Sequence, residues 1–209
     1  MPTTRPLSVL RRAGAAALLL TAGAAAPVYK PDTVSCHPHL RPAHTYQANR
    51  QTFTTDDVGR PVEARADQLV DRSAPRGGCQ GTVGNWGGEG DWNGGHLIAA
   101  SFNGVSMRYN LVPMRGRQIN QGLMKRVEDG ARNCLERTGP VRDYRVRLRY
   151  PDRTTLVPDH IEISLSPKGA PRQAAFAFPN RTLTAKDLRE RQDGITRTFQ
   201  EARCGSDRP

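Results

Sequence analysis

Two hydrophobic periods divide this chain. Tyr144, Val146, Leu148 and Tyr150 alternate with Arg145, Arg147 and Arg149, and Ile161, Ile163 and Leu165 alternate with Glu162 and Ser164. A period of two sends successive side chains to opposite faces, so each run reads as a strand with one buried face. The apolar run Ala174 to Phe178 reads as another strand. Upstream, residues 52–66 carry Phe53, Val62 and Ala64 around Asp56-Asp57-Val58-Gly59, the pattern of a hairpin with that tetrapeptide as its turn. Between Asn120 and Arg137 the period lengthens. Leu123, Met124, Val127, Ala131, Cys134 and Leu135 recur at helical spacing and define one apolar face, which Gly139-Pro140 ends. Thr184 is placed to cap a last helix reaching about Arg203. The pattern is mixed α+β.

Residues 27–50, rich in proline and histidine and without a usable period, read as an N-terminal arm, leaving 51–205 as the folded domain. A length of 209 residues suits one domain of ordinary size. No apolar run reaches the roughly 20 residues that span a bilayer, which argues against a polytopic membrane protein.

The first 26 residues change the picture. Arg5, Arg11 and Arg12, with no acid among them, precede an apolar stretch from Ala13 to Ala26 that ends in Ala24-Ala25-Ala26. A basic start, a short apolar core and a small-residue ending describe a secretory signal peptide over 1–26, and hence a secreted protein. In an oxidising compartment Cys36, Cys79, Cys134 and Cys204, an even set without a Cys-x-x-Cys pair, are expected as two disulfides rather than a zinc site. Three pairings are open; Cys36–Cys79 with Cys134–Cys204 is favoured, each closing a long loop. His37 and His39 crowd around Cys36 and read as an exposed segment rather than as metal ligands.

The net charge of +11 points to a polyanionic partner, because clustered cations bind phosphates by displacing condensed counterions. The basic residues are arginine except for Lys30, Lys125, Lys168 and Lys186, a skew that weakens charge as a guide to function. The arginine ladder at 145–149 is equally a solvated sheet face or part of a nucleic-acid surface. Half of the 20 glycines lie between Gly77 and Gly104, and Trp86, Trp92, Ile98 and Phe102 among them argue for ordered loops rather than a linker. At helical spacing Asn120, Met124 and Glu128 fall on the apolar side, where an unpaired amide or carboxylate is costly, so something polar should face them.

Three ordered blocks carry a family resemblance. Asn93-Gly94-Gly95-His96-Leu97-Ile98-Ala99-Ala100-Ser101-Phe102-Asn103-Gly104, then Asn110-Leu111-Val112-Pro113-Met114, then Asn120-Gln121-Gly122 with Glu128, resemble the DNA/RNA non-specific endonucleases. The similar branch includes EssD-like nuclease toxins of type VII secretion. The resemblance implies a ββα-metal (His-Me finger) core with an antiparallel sheet and flanking helices. In it His96 matches the general base, Asn120 the metal ligand, Glu128 the acid that orients metal-bound water, and Asn110 a supporting residue, with Asn93 and Gly95 beside them. It also implies Mg²⁺, with Mn²⁺ as a substitute, and DNA and RNA backbone as substrate without sequence specificity. Asn93 stands where much of the family carries Asp, and Met124 where an aromatic is common.

The chemistry of the residues agrees. A phosphodiester needs an activated water and positive charge on the leaving oxygen; a neutral imidazole supplies the first, and a hard cation needing few protein ligands the second. An arginine should stabilise the developing charge: Arg76 first, with Arg60, Arg65 and Arg72 behind it. Two rivals to a secreted endonuclease are a toxin held by an immunity protein and an inactive basic protein that only binds nucleic acid.

Overall fold

The computed structural model describes residue 1 and residues 33–205, so the signal peptide expected over 1–26 lies, Met1 apart, outside the described residues. Six strands form one antiparallel sheet: β1 (Thr45–Ala48), β2 (Gln51–Thr55), β3 (Pro61–Gln68), β6 (Val141–Arg149), β7 (His160–Pro167) and β8 (Ala174–Pro179), in that spatial order. The chain leaves this sheet between β3 and β6 to build the short helix α1 (Gln80–Asn85) and a separate antiparallel pair, β4 (Trp92–His96) with β5 (Leu111–Arg115). A helix follows, wound first as a π-helix over Gly116–Met124 and then as α2 (Lys125–Arg137); α3 (Ala185–Glu201) closes the fold. Among the described residues no helix is long and apolar enough to cross a membrane.

The expected hairpin forms for a local reason. The Asp56 carboxylate accepts hydrogen bonds from the backbone N–H groups of Val58 and Arg60 at 3.1 and 2.7 Å, and Gly59 takes the left-handed conformation at φ 86°. An Asp side chain satisfying its own turn is the usual device of such a loop.

Of the arm expected over 27–50, residues 27–32 lie outside the described residues, and the rest is not wholly irregular, because Thr45–Ala48 adds β1 to the sheet edge. Only Tyr46 and Ala48 of that strand turn inward, too short an alternation to read as a period. Its hairpin to β2 turns on Asn49 and Arg50, both at positive φ (50° and 62°), the backbone of a primed two-residue turn without the usual glycine.

Alternation then distributes the sheet. Ala64, Ala66, Tyr144, Val146, Leu148, Ile161, Ile163 and Leu165 point into the core, where Leu123, Val127 and Ala131 of the helix meet them. The helix starts earlier than the sequence predicts because Asp91 caps it: the Asp91 carboxylate accepts from Arg117 N–H at 2.7 Å and its carbonyl from Gly116 N–H at 2.9 Å. Thr184 caps α3 as expected, its hydroxyl accepting from Asp187 N–H at 3.1 Å. Gly130 has no Cβ to hold off the Phe199 ring, which lets α3 lie directly on α2. Disulfides join Cys36 to Cys79 and Cys134 to Cys204, the favoured pairing. The first ties the incoming chain to α1, the second the end of α2 to the chain after α3.

Candidate active site

β4, β5 and the helix after them bring the singled-out residues to one cleft. His96 is the last residue of β4, paired with Leu111 of β5, and the residue is 8% exposed. The glycines before it serve this placement. A Cβ on Gly94 would overlap the Gln80 carbonyl oxygen of α1, and one on Gly95 would overlap the Met114 side chain and lie 3.0 Å from Asn120 Oδ1. Gly95 therefore lets the π-wound start of the helix, and with it Asn120, approach the strand that carries His96.

Asn120 is held by its nitrogen. Its Nδ2 donates to Asn93 Oδ1 at 3.2 Å, and Gln121 Nε2 donates to the same oxygen at 3.2 Å. Asn120 Oδ1 accepts no hydrogen bond among the described residues. Asn110 has the opposite allocation: fully buried, it accepts from Ile98 N–H at 2.9 Å and donates to the Ile98 and Val105 carbonyls, both at 2.9 Å. Every bond pins the chain that follows His96, so Asn110 is spent on the backbone and offers nothing to the cleft.

Electrostatics link the remaining members. Burial, reinforced by the Arg76 guanidinium, lowers His96 from 6.5 to about 4, so its ring is neutral at physiological pH. Half-buried Glu128 is pushed up to about 7 by desolvation first and then by Asp129, against the opposing charges of Lys125, Arg132 and Arg76. Glu128 in turn adds to the burial that raises the Tyr144 hydroxyl, and that hydroxyl donates to the Leu97 carbonyl at 3.2 Å. Exposed Arg76 is thus within charge range of both His96 and Glu128. These four side chains share one neighbourhood.

The other arginines lie elsewhere. Arg60 is buried, paired with Asp56 at 2.8 Å, bound to the Asp152 and Thr155 carbonyls and stacked 4.1 Å from the Tyr150 ring centre. Arg65 faces Glu63 on the outer side of the sheet, and exposed Arg72 forms a backbone bridge to Phe102. The ladder of β6 is compensated in part: Arg145 and Arg147 join Arg65 around the single Glu63 carboxylate at 3.6 and 3.1 Å, and Arg149 meets Asp159 at 3.3 Å. A cavity of about 540 Å³ opens on this outer face among Arg65, Arg145, Arg147 and Glu162, and neither His96, Asn120, Glu128 nor Arg76 lines it.

Among the described residues no three His, Cys, Asp or Glu side chains gather as a metal cluster. His39 Nδ1 donates to the Val58 carbonyl at 2.9 Å and Cys36 is in its disulfide, so the segment around Pro38 is structural. Two residues of the cleft escaped the sequence. Ser106, whose hydroxyl lies 3.0 Å from His96 Nε2, has no motif of its own. Gln121 belonged to a quoted block but carried no role.

The sequence profile of the DNA/RNA non-specific endonucleases matches residues 42–168, a span that holds β1 to β7 and the whole cleft. Among solved structures, NucA from Streptococcus agalactiae with magnesium ion bound is similar in fold at 22% identity and a TM-score of 0.51, over 68% of this chain and 75% of that one. NucA with no metal bound aligns at 22% identity and a TM-score of 0.48, over 72% and 77% of the two chains. No curated protein matches.

Proposed function

The protein belongs to the DNA/RNA non-specific endonuclease family and is a nuclease, and from that premise we propose that it is an exported, divalent-metal-dependent enzyme cutting the phosphodiester backbone of DNA and RNA alike. The observation that carries the reading is a buried neutral imidazole, His96, and a half-buried carboxylate, Glu128, that share the field of one exposed arginine, Arg76. Two titratable groups whose surroundings push their pKa values apart, beside an exposed cation, are an arrangement suited to proton transfer.

His96 accepts the proton of the attacking water. Its lowered pKa keeps the base free at neutral pH, at some cost in driving force for the transfer. Arg76 lies in the open part of the cleft, where its guanidinium pairs with the phosphate and with charge that grows on it. Attack in line with the 3′ oxygen leaves 5′-phosphate ends. Among the described residues no element resembles a base-reading helix, and contacts to the backbone alone carry no sequence information.

The residues present fit a hard, mostly hydrated cation. Asn120 Oδ1 accepts no hydrogen bond among the described residues, its amide nitrogen is held by Asn93, and Glu128 lies on the same helix. Few protein ligands suffice for Mg²⁺, which keeps several waters, and Mn²⁺ accepts the same donors. When bound there by Asn120, with Glu128 holding one of its waters, the ion supplies positive charge to the phosphate and to the leaving oxygen. Export is supported by the basic, then apolar, leader and by two disulfides, which persist in oxidising compartments.

The test is a digest of plasmid and of RNA by wild type and Asn120→Ala, with Mg²⁺, with Mn²⁺ and with a chelator. Both substrates should be cut by wild type with either metal and neither in chelator, and Asn120→Ala should lose most of the activity. Full activity in chelator defeats the metal-dependent reading; undigested nucleic acid under every condition defeats the assignment of activity to this cleft.

A further inference from the structure

His96 Nε2 lies 3.0 Å from Ser106 Oγ, and the same hydroxyl lies 3.3 Å from the Pro75 carbonyl oxygen. A carbonyl only accepts, and a serine hydroxyl has a single proton to give. With that proton directed at Pro75, the serine oxygen turns its lone pairs to His96, so the imidazole must donate from Nε2. We infer that Ser106 is a positioning residue for His96, holding the ring as the Nε2–H tautomer with Nδ1 as the nitrogen that takes a proton. This deepens the proposed function and rests on His96 being its base.

The surroundings favour a fixed relay over a chance contact. His96 is buried at the end of β4, where its backbone is committed to β5, so the ring has little freedom except rotation about its own bonds. Ser106 is anchored through its main chain as well, its carbonyl accepting from Cys79 N–H at 3.4 Å, and Cys79 is tied to Cys36. The acceptor at the far end belongs to Pro75, the residue before Arg76. One hydroxyl thereby joins the strand end that carries the base to the segment that carries the arginine. Nδ1 makes no hydrogen bond among the described residues, which leaves it available to a substrate water. Other imidazoles of the chain have different arrangements: His39 uses its Nδ1 on a carbonyl, and His160 Nδ1 meets Arg149 at 2.6 Å.

The experiment compares wild type, Ser106→Ala and Ser106→Thr in the full chain, with two readouts. Long-range ¹H–¹⁵N spectra of the metal-free protein at neutral pH report the His96 tautomer without any catalysis. Wild type and Ser106→Thr should show Nε2–H alone, and Ser106→Ala a mixture or Nδ1–H. Plasmid cleavage should show kcat lowered about 10–100-fold in Ser106→Ala with KM for DNA unchanged, as for other groups that orient a functional histidine, and restored by threonine. A wild-type Nδ1–H tautomer, or a Ser106→Ala protein with unchanged tautomer and kcat, overturns the inference. A mixed tautomer in Ser106→Ala with His96→Ala cutting at the wild-type rate overturns instead the assignment of His96 as base.

Discussion

On the outer face of the sheet Arg65, Arg145 and Arg147 gather at distances of 3.8, 3.6 and 3.1 Å around the Glu63 carboxylate. In the cleft beside β4 a single arginine, Arg76, stands within range of a histidine and a carboxylate, and both of those have pKa values displaced by burial. The first region has more charge and less consequence. Its arginines share one carboxylate and lie partly or largely in water, where solvent screens the charge that remains. In the second, desolvation leaves charges that neighbours only partly offset, so protonation states respond to one another. Burial, with a sparse set of charges, thus suffices to displace protonation equilibria in the cleft.

The contrast can be broken most directly at His96. His96→Ala should reduce plasmid cleavage by about 10²–10⁴-fold, the usual contribution of a general base, with circular dichroism unchanged. A variant that cuts at the wild-type rate would remove the distinction between the two regions. Arg76→Ala comes next, with a loss on the order of 10²–10³-fold if it faces the growing charge of the phosphate. The same variant should raise the His96 pKa above about 4, but not fully to 6.5, because burial is the larger cause and persists; a histidine titration by NMR checks this.

Stability provides a third measure. In the metal-free fold Glu128 keeps its proton up to about pH 7, against 4.5 for an ordinary glutamate. Its stabilising contribution is complete below the unfolded value and is lost as pH rises through the folded one. Glu128→Gln, which cannot ionise, should thus gain on the order of 1–3 kcal/mol over wild type at pH 8 and little at pH 4. Thermal melts in chelator at the two pH values decide it, and an equal effect at both would contradict a buried, proton-holding carboxylate. The smallest effect belongs to the outer face. Arg147→Ala should cost less than about 1 kcal/mol and leave cleavage within about twofold, since Arg65 and Arg145 still neutralise Glu63. A large loss of DNA cleavage in that variant would make the sheet face part of the substrate surface after all.

Much of this was legible along the chain because it depends on near neighbours. The alternation in β6 and β7, the Asp56 turn and the Thr184 cap each follow from residues within one element. β1 escaped because two inward residues make no period, and its turn uses Asn49-Arg50 in place of the glycine that signals such a loop. The π-winding over Gly116–Met124 escaped because the apolar spacing of Ile119, Leu123 and Met124 suits either winding. Asp91, ahead in the chain, is what sets the start of that segment. Placing Asn120 and Glu128 on one face from a uniform helical angle thus assumed a winding that the chain adopts only from Lys125 onward.

By itself the sequence determined the strand and helix periods, the parity of the cysteines and the three blocks that bring His96, Asn120 and Glu128 into order, since each is a property of covalent spacing and side-chain type. Tertiary structure alone decided that Arg76 and not Arg60 lies within charge range of the histidine, that Arg145 and Arg147 share Glu63, and that Ser106 meets the imidazole. Those outcomes depend on strand register and on loops closed across long separations, where packing and loop-closure entropy, rather than local preference, select which side chains become neighbours.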